Sequence, residues 1–274
     1  MPTEFEQMRG QLVSAHNEIA KAARDIIRAD ATQDNPFLLG KEDPRYSLYT
    51  CGFISGPADR YLGEITQRIQ VLEPATWPIP DGFRHITFGE FRFDPNGRKT
   101  AGVNAQTAAR YHEVLRGEFA NPDIPPIALE LERIMITQDK EQNSLSVVAA
   151  FVPTNNLALT TVRERITSAT HRADLPLNAR LGTLSLMLCT LGRFPHPPEK
   201  VGDTVPLLDE VQKINNELPK GCNAQILALA IGSTTPGHYP WVDRHAYLIP
   251  PLALDTENNP RNPKVIRAWR PYRK

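Results

Sequence analysis

His85 and Thr87 stand two positions apart in the stretch from Phe83 to Phe93, where Ile86, Phe88 and Phe91 supply apolar and aromatic side chains. That composition predicts a strand. On a strand, residues two apart point to the same face, so His85 and Thr87 share one face and Ile86 and Phe88 the other. An imidazole titrates near neutrality and can give or take a proton. A hydroxyl beside it can hydrogen-bond an anionic oxygen. The pair therefore has the makings of an acid/base site that holds a phosphate, with His85 the catalytic candidate and Thr87 a binding one.

Other residues offer less. Arg84 and Arg193 flank the strands that matter, but alternation turns both away from the histidine face unless a bulge intervenes. Both read as solvated arginines. Glu130 and Glu132 alternate with Leu129 and Leu131 and read as the solvent face of a strand. Tyr239 and Trp241 lie between two late strands, where stacking on a base and capping the core are both open. His171, His196, His238 and His245 read as loop or surface histidines. Cys51, Cys189 and Cys222 are widely spaced, with no Cys-x-x-Cys pair, so neither a disulfide framework nor a structural zinc site is expected. No Gly-x-Gly-x-x-Gly, P-loop or His-Glu-x-x-His pattern occurs, which removes dinucleotide, P-loop and zinc-protease readings.

The bulk of the chain sets limits on the setting. Lys plus Arg and Asp plus Glu both number 31, so the net charge is zero, which argues against a dedicated duplex-DNA binder. Hydrophobic residues make up 41% of the 274, enough for a sizeable core. The segment Met1 to Met8 is polar and has no apolar signal-like run. No run of about 18 apolar residues is present, so no membrane span is expected. A cytoplasmic or nuclear protein is the expectation.

The elements that must position His85 follow from periodicity. Met8, Leu12, Ala15, Ile19, Ala23 and Ile27 predict an amphipathic helix over 4–29. A loop over 30–45 follows. Strand 46–55 leads to a helix from Pro57 to Val71, with proline in its first turn. A turn-rich connection from Trp77 to Asp81 precedes the histidine strand. A helix over 104–119, a hairpin of 127–137 and 144–152, a helix over 155–170 and a strand over 178–194 come next. The chain closes with a helix over 206–218, strands 224–232 and 244–254, and an irregular basic tail from Asp255. The order is β-α-β-α-β-β, then α-β-α-β-β. Two similar halves predict a bilobal α+β fold, with two antiparallel sheets facing a central cleft, helices outside, and an extra N-terminal helix. Residues 1–45 read as an appended helix and loop, 46–254 as the bilobal domain, and 255–274 as the tail.

The residues Arg84-His85-Ile86-Thr87-Phe88 resemble the first His-x-Thr motif of the two-histidine phosphoesterase superfamily, which includes the RNA cyclic phosphodiesterases, also called 2′-5′ RNA ligases. Leu188-Cys189-Thr190-Leu191-Gly192-Arg193-Phe194 resembles the second motif with its usual continuation, a leucine, a small residue and an arginine. Ile226 to Ser233, the segment 234–239 and Leu248 to Leu254 are similar to the closing hairpin. The resemblance covers about residues 46–254. It implies a bilobal fold and phosphodiester chemistry without metal or cofactor on a cyclic phosphate, a nucleotide or an RNA end. It also implies that Thr87, Thr190 and Tyr239 bind substrate. In one place the sequence departs from the pattern, because Leu188 stands where the second histidine belongs. Leucine cannot donate to phosphate, and losing one general acid/base costs about 10²–10⁴-fold. Three readings stay open: catalysis by His85 alone, a non-hydrolytic binder of nucleotide or RNA, and a cleft adapted to a non-phosphate substrate. Oligomeric state is not legible.

Overall fold

The computed structural model describes residues 3–36, 38–40, 47–79, 81, 84–91, 105–119, 127–139, 144–154, 158–175, 186–202, 204–226, 228–234 and 252–253. Among them the chain has the expected α+β class, with five helices and one antiparallel sheet. The first helix, α1 (Glu4–Arg28), begins with a reciprocal cap. The Thr3 hydroxyl accepts from the Glu6 backbone N–H at 3.2 Å, and the Glu6 carboxylate accepts from the Thr3 N–H at 2.7 Å. Strand β1 (Ser47–Phe53) and α2 (Pro57–Leu72) follow, then β2 (Trp77–Pro78), β3 (His85–Phe91) and α3 (Ala105–Glu118). The hairpin is β4 (Ile127–Asp139) and β5 (Ser144–Pro153), and α4 is Ala158–Arg172. Strand β6 (Leu188–Arg193), α5 (Pro206–Glu217), β7 (Asn223–Ile226), β8 (Ala228–Thr234) and β9 (Leu252–Ala253) complete the order. Within the segment expected to be a turn-rich connection, Trp77 and Pro78 form a short strand on β6.

The strand order is β7-β4-β5-β6-β3-β1-β8-β9, with β2 also beside β6. The two expected sheets are therefore joined edge to edge between β3 and β6, where Ile86 pairs with Cys189. Strands β7 and β8 are separated by a single residue. One pairs with β4 and the other with β1, so the sheet curls back toward itself. A bridge between Ser55 and Gln225 ties the curl. Gly52 is needed there. A Cβ on it would overlap Ile226 Cγ2 and lie 2.6 Å from Phe88 Cε2.

The sheet has two unlike faces. On one, Ile86, Cys189, Ile134, Ala149 and Val147 are buried in a large core with Leu62, Ile65 and Ile69 of α2 and Val162 and Ile166 of α4. Where β7 ends, the exposed edge of β4 is satisfied by α5: Asn215 accepts from the Ile134 N–H at 2.7 Å and donates to its carbonyl at 2.8 Å. The opposite face carries the residues singled out in the sequence, and α1 lies against part of it.

Candidate functional site

The pairing of Ile86 with Cys189 fixes the site. Counting outward along the antiparallel ladder sets Thr190 opposite His85 and Leu188 opposite Thr87, and opposed residues share a face. All four are partly exposed, while Ile86 and Cys189 are fully buried behind them. Burial holds the Cys189 thiol protonated, its pKa pushed up to about 12. The remaining thiols, Cys51 and Cys222, are also buried and unpaired by disulfides.

Strand β1 supplies the wall behind the histidine. Phe53 is directly opposite His85, with ring centroids 6.2 Å apart and planes at 70°. Tyr49 stacks on the imidazole at 5.6 Å and 13°. Tyr49, Cys51 and Phe53 alternate along β1 and share one side, and the register shift leaves Phe88 of β3 as the extra residue. Burial raises the Tyr49 phenol well above its ordinary value, with the nearby Cys51 thiol adding to the rise and the Arg193 charge opposing it. This aromatic clamp fixes the ring of His85. No local pattern announces it, because the partners lie more than thirty positions upstream on another strand.

The two arginines both depart from the expectation of solvated side chains. Arg84 does turn away from His85, but into the helix-packed face, where only 2% of it is exposed. Its guanidinium donates to the Asp59 carboxylate at 2.8 Å, to the Asp59 carbonyl at 3.0 Å and to the Asp81 carboxylate at 2.6 Å. A buried guanidinium must be matched this way or its desolvation goes uncompensated. Arg84 thus pins β3 to the start of α2. Arg193 reaches the other face. The β5–β6 ladder slips between Val147 and Val148, leaving Leu191 as the extra residue, so that Arg193 opposes Ser146 as Thr190 opposes Val148. Ser146 and Val148 are two apart and share a face, and therefore so do Arg193 and Thr190. Arg193 joins the site through that bulge.

The Leu188 side of the face is covered. Ile19 and Ala20 of α1 pack with Leu188 on Met135, Val148 and Ala150. Arg9 pairs with Glu130 at 2.6 Å, His16 with Glu132 at 2.7 Å, and Arg133 donates to the Asn17 side-chain Oδ1 at 2.5 Å. Glu130 and Glu132 were expected to face solvent; they face α1 instead. Beyond the helix, the Asn35 backbone N–H donates to the Pro195 carbonyl at 2.8 Å and its side-chain amide to the Ser144 hydroxyl at 3.2 Å, carrying the connection along the same side. Leucine at 188 is therefore part of the same apolar cluster as Ile19 and Ala20 of α1.

Neither His171 nor His196 joins the site. His171 is exposed at the end of α4, and His196 is exposed and pairs with Asp34 at 3.1 Å. His238, Tyr239, Trp241 and His245 lie outside the described residues. Among the described residues, no three His, Cys, Asp or Glu side chains converge so as to hold a metal ion, and no helix is long and apolar enough to cross a membrane.

No protein-family model matches the sequence, and no curated protein matches it. Among solved structures, the chain is similar to TT0787 of Thermus thermophilus, at 12% identity and a TM-score of 0.47, over 76% of this chain and 97% of that one. It is also similar to E. coli LigT complexed with 3′-AMP, at 14% identity and a TM-score of 0.44, over 78% and 99%. Usb1 of Kluyveromyces marxianus is similar at 8% identity and a TM-score of 0.44, over 77% and 99%.

Proposed function

We propose that this protein is a phosphodiesterase of the two-histidine type that acts on a cyclic phosphate, a nucleotide or an RNA end with a single histidine. The observation that carries the reading is the shared face of His85 and Thr190, on strands joined at Ile86–Cys189. His85 takes a proton from the attacking hydroxyl or gives one to the leaving oxygen, held in place by the Tyr49 stack. The Thr87 and Thr190 hydroxyls donate to the phosphate oxygens. Arg193 offsets the charge that builds on the phosphate. Tyr239 stays a proposed substrate contact on the resemblance of the closing segment alone. The unit carrying this chemistry spans residues 46–254, with 1–45 packed on it and 255–274 as a tail.

A second reading, a nucleotide binder without turnover, is favoured by Leu188. An apolar side chain packed on Met135, Val148 and Ala150 gives phosphate no second proton donor on that side. One experiment separates the two. The protein and His85→Ala are incubated with nucleoside 2′,3′-cyclic phosphates and with short RNA ending in a cyclic phosphate. Turnover reduced about 10²–10⁴-fold by the substitution supports catalysis by His85. Nucleotide binding by both proteins without turnover supports the second reading. Failure to bind any of these ligands sinks both.

A further inference from the structure

We propose that Trp77 is the base-stacking residue of this site and gives it a preference for purine over pyrimidine nucleotides; the inference rests on the phosphate-binding reading above. Trp77 pairs directly with Arg193 across the β2–β6 ladder, so its indole projects to the same face as Arg193, Thr190 and His85. It is 39% exposed, the one aromatic among the exposed large hydrophobic side chains of the described residues. An apolar ring left in water beside a guanidinium, on the same face as the histidine of β3, has the form of a stacking platform with a phosphate clamp at its edge.

Among the described residues, the face leaves a ligand one direction. Helix α1 packs Ile19 and Ala20 on Met135, Val148 and Ala150 of β4 and β5, so a molecule held between His85 and Thr190 cannot extend across β5. It can extend along β6, from Thr190 to Arg193 and so to Trp77. One same-face step along a strand is about 6.6–6.8 Å, comparable to the reach from a nucleotide's phosphate to its base. Close approach of β2 to β6 depends on Gly192, whose added Cβ would lie 2.8 Å from Thr76 Cγ2 and 3.2 Å from the Trp77 carbonyl oxygen. The glycine thus lets the tryptophan strand seat beside Arg193. A purine offers more ring area to the indole than a pyrimidine, hence the preference.

Isothermal titration of the full chain tests this with adenosine 3′-monophosphate, uridine 3′-monophosphate and ribose 5-phosphate, on the parent protein, Trp77→Ala and Trp77→Phe. The expected result is roughly 5- to 100-fold weaker adenosine nucleotide binding in Trp77→Ala, the loss of one base–aromatic stack. Ribose phosphate binding should stay within about twofold, Trp77→Phe should retain most of the affinity, and the parent protein should bind the adenosine nucleotide more tightly than the uridine one. Unchanged adenosine binding in Trp77→Ala, or equal loss of ribose phosphate, overturns the stacking role while the phosphate site stands. A parent protein that binds none of the three overturns the phosphate site and the stacking role together.

Discussion

The two halves of the site face are built on matching strands and finished in opposite ways. On the β1–β3 side the face is polar at His85 and Thr87 and aromatic-walled, and it is anchored from behind by Arg84 reaching α2. On the β5–β6 side the anchor sits in front: α1 lies over β4 and β5 and presses Ile19 and Ala20 toward Leu188. Each half uses one face of the sheet for packing, and in the β5–β6 half Leu188 packs on the same apolar cluster as Ile19 and Ala20 of α1. The leucine at 188 thus belongs to the apolar cluster that α1 also joins, and Thr190, two residues along the same strand, remains polar and partly exposed.

Removing the anchor of the open half should have the largest effect. Arg84→Ala removes a buried guanidinium and its ion pairs with Asp59 and Asp81 and is expected to cost about 3 kcal/mol, read as a lower urea midpoint. A change under about 1 kcal/mol would mean that β3 is held by the core alone. A smaller effect is expected in the covered half. Leu188→His sets a polar ring against Ile19 and Ala20 and should destabilise by about 1–3 kcal/mol. Pairing Leu188→Ala with Ile19→Ala should show a coupling of at least about 0.5 kcal/mol, because the two side chains share one contact. Simple additivity would detach α1 from the explanation of Leu188. The finest effect concerns Tyr49, whose hydroxyl is buried with no partner among the described residues. Its phenol is raised above the ordinary value of 10.0, so its stability contribution is complete below about pH 10 and is lost as pH climbs further. Tyr49→Phe should match the parent protein near pH 8 and exceed it near pH 11 in urea unfolding. Parallel curves would show that the ring is not sealed by the stack.

Much of this was legible in the sequence. The apolar repeat of α1, the alternation in β3 and the Thr-Leu-Gly-Arg continuation in β6 are local signals, and local geometry follows from them. What could not be read is where faces meet. The stripe Leu12, Ile19, Ala23 and Ile27 says that α1 packs, but not that it packs on the site face. An arginine such as Arg84 looks solvated until Asp59, on another element, is brought beneath it. The bulge at Leu191 that turns Arg193 around is set by pairing with β5, and no residue type announces it. Trp77 and Pro78 are too few to show a period, so β2 read as a turn.

The curl of the sheet has a consequence for how the chain is made. Thr50 pairs with Gly89 on one side and with Ile231 on the other. During synthesis β1 can acquire its first neighbour early, but its second edge waits until residues near 231 have been translated. Until then the strand that carries Tyr49 and Phe53 exposes a row of unpaired backbone groups, a template for pairing with other chains. So many non-local closures also predict slow folding for a domain of this size. Growth temperature and chaperone supply should therefore govern the yield of intact protein more than its final stability does.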